Sequence, residues 1–276
     1  MAGGQDPTDL TVVVCTLGEA AVGETVESIA ASARAAGRSV QIIVIWQAHE
    51  PPARLPDAEV ILSASLGLSQ ARNLGFGAAR ADLVAFVDDD ERVDERWVAA
   101  ALGAFAADAS LEGAFGPVLA SEDGAAPYFT SGEEPRTFEG RYRPPWVVGT
   151  GGNMVLRRET LVRAGGFDTR YGAGAPVGAA EETDLLLRLL AEGGRLLYTP
   201  ELTVYHPVRD LASELAARRV YGFGMGVALR RSPALAGKYL HTIAQELGRS
   251  LRARDRRHKT LATLRGFLAG LVARPR

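Results

Sequence analysis

The sequence predicts an α/β fold, a mostly parallel sheet flanked by helices, with a helical C-terminal extension. Three observations predict it. Ahead of Asp88, four apolar runs alternate with segments of helical spacing, the pattern of strands joined by crossover helices. The runs are apolar at successive rather than alternate positions, which describes strands covered on both faces. The fourth run leads directly into Asp88-Asp89-Asp90, and sheets of this kind bind ligands beyond the carboxyl ends of their strands.

The elements follow in order. Leu10 to Cys15 is a β-branched strand that stops before Gly18, and Glu24 to Ala36 is a helix closed by Gly37. Gln41 to Trp46 is a second strand ended by a polar turn and Pro51-Pro52, and Val60 to Leu62 is a short third. A helix over Leu68 to Ala79 precedes the fourth strand, Leu83 to Val87, and another helix is expected near Asp94 to Phe105. Between Ala114 and Val148 the helical spacing vanishes, and Pro117, Pro127, Pro135, Pro144 and Pro145 cut the chain into loops and short strands, read as a lid or acceptor-side insert. Met154 to Leu156, a helix over Arg158 to Ala164, a glycine-rich loop through Gly178 and a helix over Glu181 to Ala191 come next. Leu196 to Tyr198 and Thr203 to Tyr205 are closing strands.

Composition narrows the function classes. With 31 Lys+Arg against 33 Asp+Glu, no overall field draws nucleic acid, and none is expected as a partner. The single cysteine, Cys15, rules out an internal disulfide or a Cys-rich zinc site, fits a reducing compartment, and reads as a small core residue. The polar start, Met1 to Asp9, has no basic-then-apolar signal pattern, and no apolar run approaches the length of a membrane span. The expectation is a cytoplasmic protein, at most peripheral at the inner face of a membrane.

Two acidic motifs carry chemistry. Alternate residues of an extended chain point the same way, so Asp88-Asp89-Asp90 aims two carboxylates into the crevice at the strand end. Such a pair suits a hard cation, Mn²⁺ or Mg²⁺, that completes its shell with water and a diphosphate; a solvated acidic turn is the plain alternative. Glu181-Glu182-Thr183-Asp184 opens a helix after Gly172, Gly174 and Gly178. Acids in a first helical turn are ordinary, yet a carboxylate there can also take a proton from an attacking hydroxyl.

In this order and spacing the motifs resemble family 2 glycosyltransferases of the GT-A fold, over roughly Thr11 to Pro207. The resemblance rests on Val13-Val14-Cys15-Thr16, Gly67-Leu68-Ser69-Gln70-Ala71-Arg72-Asn73-Leu74-Gly75, the triple aspartate, Gly151-Gly152-Asn153-Met154, Gly165-Gly166-Phe167-Asp168, Glu181-Glu182-Thr183-Asp184-Leu185 and Tyr205-His206-Pro207. It implies a GT-A domain over residues 1–206, with a nucleotide-binding part over 10–113 and an acceptor-side part over 114–206, and a basic helical extension over 207–276. It implies that Thr16, Arg72, Asp88 and Asp89 hold the nucleotide. Asp90 is the implied metal ligand, with Asp88 and His206 as further ligands of Mn²⁺ or Mg²⁺. Glu182 stands at the implied general base with Glu181 shaping the site, and Gly151, Gly152, Asn153 and Asp184 line the sugar and acceptor side. The implied reaction is inverting transfer from a nucleotide-diphosphate sugar to the hydroxyl of a carbohydrate, lipid-linked or small-molecule acceptor.

The chain departs from the family pattern twice. Glu-Glu replaces the usual Glu-Asp, which leaves the division of roles between Glu181 and Glu182 open. After the second strand, where the family commonly has an acid that reads the base, this chain has Trp46-Gln47-Ala48-His49. Gln47 is then the candidate for the nucleobase, whose identity stays open. The extension interleaves Arg249, Arg252, Arg254, Arg256, Arg257, Lys259 and Arg265 with Leu247, Leu251, Leu261, Leu264 and Leu268. That pattern serves packing on the catalytic domain, a homodimer, or a peripheral contact with anionic lipid. Tyr221 to Gly226, just before it, reads as a mobile loop over the donor.

Competing classes fit less well. A dinucleotide dehydrogenase wants Gly-x-Gly-x-x-Gly in the first turn, where only Gly18 and Gly23 stand, and no phosphate loop ending in Gly-Lys-Ser/Thr is present. A metal-dependent phosphohydrolase wants an aspartate on the first strand, which here ends in Cys15-Thr16. A catalytically silent sugar-nucleotide binder is the alternative from outside the enzymes.

Overall fold

The structure is a computed structural model that describes residues 8–18, 21–48, 54–141, 143–230, 232–249 and 254–273. His49, Leu251 and Arg252 lie outside them. The strands are β1 (Leu10–Thr16), β2 (Val40–Trp46), β3 (Ala58–Leu62), β4 (Leu83–Asp88), β5 (Arg92–Val93), β6 (Gly113–Phe115), β7 (Val118–Ala120), β8 (Arg136–Phe138), β9 (Asn153–Arg157), β10 (Leu196–Tyr198) and β11 (Val204–His206). The helices are α1 (Val22–Ala36), α2 (Leu68–Gly77), α3 (Trp97–Ala107), α4 (Arg158–Arg163), α5 (Glu181–Ala191), α6 (Leu211–Leu229), α7 (Pro233–Arg249) and α8 (Arg254–Val272).

The main sheet has the order β3-β2-β1-β4-β9-β6-β10-β8. Its first half is parallel, and β9 runs antiparallel between β4 and β6. A small sheet, β5-β11-β7, sits beside it. The period of two places Leu10, Val12 and Val14 in the core under α1 and α3, and Val13 in the core on the other face. Both faces are thus covered, as continuous apolar strands require. The segment read as loops is less separate than expected: β6 and β8 join the main sheet and β7 joins the small one. The third strand starts two residues earlier than the apolar run, because Ala58 and Glu59 pair with Ile42 and Ile43. The third helix begins at Trp97, later than its acidic start suggested, since Asp94 accepts from the Arg96 amide at 3.0 Å and stays outside.

The Tyr221 to Gly226 stretch is not a loop. It lies inside α6, and its glycines serve close helix contact. A Cβ at Gly222 or Gly226 would overlap the carbonyl oxygen of Thr263 or Phe267, and one at Gly266 or Gly270 that of Arg219 or Phe223. Gly222 and Gly226 on α6 therefore face Gly266 and Gly270 on α8, backbone against backbone. Replacing Gly266 by Leu should destabilise the protein by about 1–3 kcal/mol through overpacking, read as a lower urea midpoint at unchanged slope.

The extension packs on the catalytic layer. Met225, Leu229, Leu235, Tyr239, Ile243 and Phe267 form a third core, against which Trp146 and Leu187 of α5 also pack. Leu247 and Leu264 turn into this core, whereas Leu268 is exposed. Among the described residues no helix is long and apolar enough to cross a membrane.

Candidate active site

Parallel β1 and β4 lie side by side, with Cys15 opposite Asp88, so Thr16 and the triple aspartate emerge at one sheet edge. β9 starts at Asn153 opposite Val87, which carries the preceding Gly151-Gly152 turn across the end of β4. The close approach there explains both glycines. A Cβ at Gly152 would lie 2.6 Å from Asp88 Oδ2 and 2.6 Å from Glu91 Oε2, and one at Gly151 would lie 2.8 Å from Arg72 Nη1.

Arg72, on α2 and 2% exposed, joins the two acidic motifs. Its Nη1 donates to Glu181 Oε1 at 2.6 Å and its Nη2 to Asp88 Oδ1 at 3.0 Å. Its guanidinium stands 6.0 Å and 5.6 Å from the ring centres of Phe86 and Phe167, a sandwich that fixes the fork. Burial alone would discourage the charge, but Glu181 and Asp88 hold Arg72 protonated.

The acids differ sharply in state. Burial and the Glu181 charge push Glu182 up to about 7, and its Oε1 accepts from the Thr183 hydroxyl at 3.0 Å. Burial raises Asp88 against the opposing Arg72, and lifts Asp89 to about 6 against its hydrogen bond with Thr16. Asp90 goes the other way: burial acts to raise it, but its bond to His206 and the charges of His206 and Arg209 hold it below the usual carboxylate range. Burial pushes the Cys15 thiol up to about 12, so no thiolate nucleophile stands here.

His206 ends β11 with both ring nitrogens committed. Nδ1 lies 2.6 Å from the Pro207 carbonyl and therefore carries the proton. Nε2 faces Asp90 Oδ2 at 3.2 Å and Arg209 Nη2 at 2.8 Å. Among the described residues no group of three or more His, Cys, Asp or Glu is arranged to hold a metal. Asp90 and His206 make a two-residue set.

Three expected site residues have other partners. Asn153 is fully buried: its Oδ1 accepts from Trp97 Nε1 at 3.1 Å, and its amide nitrogen donates to the carbonyls of Pro117 and Leu202 at 3.0 Å and 2.6 Å. An amide so engaged locks β9 to the small sheet and does not touch a sugar. Gln47 donates to the carbonyls of Ser65 and Gly67 at 2.7 Å and 3.4 Å; its amide nitrogen shapes the loop before α2 rather than reading a nucleobase. Asp184 accepts from Arg188 at 2.9 Å, and Arg188 also donates to the carbonyls of Ala164 and Gly166, so this carboxylate pins α5 to the turn after α4. Gly151, Gly152, Thr16, Asp88, Asp89, Asp90, Arg72, Glu181 and Glu182 gather at the one edge.

Two further residues, Glu91 and Arg209, were not signalled, and Tyr221 comes from a helix in place of the expected mobile loop. Glu91 is 2% exposed, and burial together with the charges of Asp88 and Asp90 pushes it well above the carboxylate range. Arg209 and Tyr221 hydrogen-bond to each other, and Tyr221 feels the charges of Asp88 and Glu182. Val220 and Gly224 of the same helix lie against Gly178 and Ala179, so α6 borders the cleft. The last detail lies beneath Glu181: Ala180, the N-cap of α5, sits at φ 68°, a region costly for any residue but glycine. Gly224 of α6 holds it there, since a Cβ on Gly224 would come within 2.9 Å of the Ala179 carbonyl and 3.0 Å of the Ala180 Cβ.

The comparisons with known proteins bear on the family and the fold. The profile of Glycosyl transferase family 2 matches residues 11–163, ending before α5, so the reading of Glu182 and His206 rests on the structure. Succinoglycan biosynthesis protein ExoM of Rhizobium meliloti is 28% identical over 75% of this chain and 69% of its own length. A mannosyltransferase of Pyrobaculum calidifontis, solved with GDP-Man and Mn²⁺, superposes with a TM-score of 0.63 at 14% identity, covering 95% of this chain and 87% of its own. An S. aureus TarS fragment with UDP-GlcNAc gives 0.59 at 12% identity, over 96% and 82%. The profile spans more than half of the chain, and its fold is that of the GT-A enzymes: the protein belongs to glycosyl transferase family 2 and is a glycosyltransferase.

Proposed function

We propose that the protein moves a glycosyl group from a nucleotide-diphosphate sugar to an acceptor hydroxyl in one inverting displacement. One observation carries the reading. Arg72 binds the strand-end acids to the start of α5 and pairs with Glu181, which leaves Glu182, of the two glutamates, without an ion pair among the described residues. The two glutamates thereby divide their roles: Glu181 positions Arg72, and Glu182, raised to about 7, accepts a proton near neutral pH. The two structural neighbours hold GDP-Man and UDP-GlcNAc, the donor class proposed here, and the name of the Rhizobium relative supports glycan assembly as the setting.

The residues present fit a divalent cation. Asp90 Oδ2 stands 3.2 Å from His206 Nε2, so one carboxylate and one imidazole would both reach a single hard cation. With Nδ1 directed at the Pro207 carbonyl, Nε2 is the nitrogen that would bind a cation, in place of its present contact with Arg209. One carboxylate and one imidazole leave the remaining positions to diphosphate oxygens and water, with Asp88 beside them. Bound there, Mn²⁺ or Mg²⁺ supplies Lewis-acid neutralisation of the leaving diphosphate. The chain's own residues do the rest. Glu182 takes the acceptor's hydroxyl proton as that oxygen bonds to the anomeric carbon, while the bond from this carbon to the diphosphate breaks and its electrons leave with the phosphate oxygen. Arg72 keeps the glutamates and Asp88 in register, and the Gly151-Gly152 turn leaves room for the sugar.

A thermal-shift panel of nucleoside diphosphates with and without Mn²⁺ tests the donor side; a stabilising shift that needs both nucleotide and metal is expected, and a panel with no response rejects the reading. Asp90→Asn should weaken Mn²⁺ activation by about tenfold or more, measured as the metal concentration for half-maximal release of nucleoside diphosphate. Unchanged activation would remove Asp90 from the metal.

A further inference from the structure

We infer that the cavity between the loop over 120–128 and the C-terminal helices is a second anion site, which takes a phosphate group carried by the acceptor. The term acceptor rests on the transfer reaction proposed above, whereas the anion site stands on its own geometry.

The cavity encloses about 710 Å³ and presents Arg209, Arg218, Arg256 and Lys259 against Glu214 and Glu246. Glu214 is 4% exposed and already neutralised, with Arg218 at 2.8 Å and Lys259 at 4.0 Å. The walls therefore carry an excess of positive charge. Arg209 is half-buried, hydrogen-bonded to Tyr221 and in the field of Asp90, but no carboxylate among the described residues stands within ion-pair distance of it. It turns one amino group to the His206 ring at 2.8 Å, and its guanidinium lies 5.8 Å from the Tyr128 ring centre. A guanidinium has five N–H donors, so this one has donors to spare for an anion.

The place of the cavity decides which anion. Tyr128 and Arg209 are the wall it shares with the Asp90 and His206 pair. The Tyr128 ring packs tilted against His206 at 4.5 Å, and its hydroxyl donates to Pro207 O at 2.9 Å and accepts from the Arg209 amide at 2.8 Å. A phosphate in the cavity is separated from the cation pair by that wall, so it does not belong to the donor diphosphate. It is close enough to belong to the other substrate. The volume falls in the range of small-molecule sites and exceeds the need of a phosphate, while Ala125, Ala126 and Pro127 give one side an uncharged lining. The ligand class is thus a phosphate or diphosphate ester whose organic part is a sugar or an alkyl chain.

Calorimetric titration of the full chain with inorganic pyrophosphate tests this. In EDTA one binding event is expected, weakened about tenfold or more by Arg256→Glu, to a lesser degree by Arg256→Gln, and not by Asp90→Asn. With preformed magnesium pyrophosphate a second event should appear, lost in Asp90→Asn and kept in Arg256→Glu. Absence of the metal-free event, or its indifference to both Arg256 variants, overturns the anion site and leaves the donor reading untouched. Absence of the metal-dependent event alone sinks the donor reading instead. Competition then identifies the source. Displacement by glucose 1-phosphate assigns a soluble phosphorylated acceptor, displacement by monomeric decyl phosphate assigns a lipid-borne one, and displacement by neither overturns the acceptor assignment.

Discussion

Glu182→Gln should lower kcat by about 10²- to 10⁴-fold, the usual contribution of a positioned general base, while nucleotide affinity stays near that of the parent. The amide is nearly isosteric with the carboxylate and keeps an oxygen for the Thr183 hydroxyl, so the loss isolates proton transfer. The pH profile supplies the sign. A base must be ionised to act, so kcat/KM should rise with pH through a value near 7 and then level. Burial and the Glu181 charge set that value, in that order. Glu181→Gln removes one of the two causes and frees Arg72 toward its neighbour, so the rising limb should move to lower pH. A profile for the Glu181 variant that superposes on the parent would reject the electrostatic link between the two glutamates. Full turnover by Glu182→Gln would reject the base itself.

Arg72→Met should cost about 3–5 kcal/mol of stability, because breaking a buried pair strands its acid partner. The Arg72 side chain is 3% exposed and that of Glu181 8%, so water cannot replace the lost guanidinium at little cost. Asp88 has more access to solvent and should contribute less. Activity should fall with stability, since the same bond holds α5 against the end of β4. The double variant Arg72→Met, Glu181→Leu separates the two effects: it should recover much of the stability without recovering activity. A single variant as stable as the parent in urea would show that the guanidinium is not the tie described here.

The frame of this protein was legible because β1, β2 and β4 are continuous apolar runs with few other readings. β6 and β8 were harder, being three residues each and placed by pairing with strands far away in sequence. At the site, the triple aspartate announced itself through its position after a strand. Arg72 as the link from the strand-end acids to Glu181, 109 residues further along the chain than Arg72 itself, could only emerge in three dimensions. Asn153 and Gln47 misled for a shared reason. Their amides offer donors and acceptors to any partner, and the sequence does not reveal that the carbonyls of Pro117, Leu202, Ser65 and Gly67 reach them first. Glu91 was invisible because a buried glutamate beside three aspartates looks like one more solvated acid.

The contact of Gly224 with Ala179 and Ala180 means that the last quarter of the chain is a buttress for the helix start that carries the proposed base. Trimming the chain ahead of Leu211 would strip the support from a left-handed residue immediately before Glu181 and leave Leu187 and Trp146 without cover. The two halves should accordingly melt together in a single cooperative transition, and a catalytic half expressed by itself should aggregate rather than work slowly.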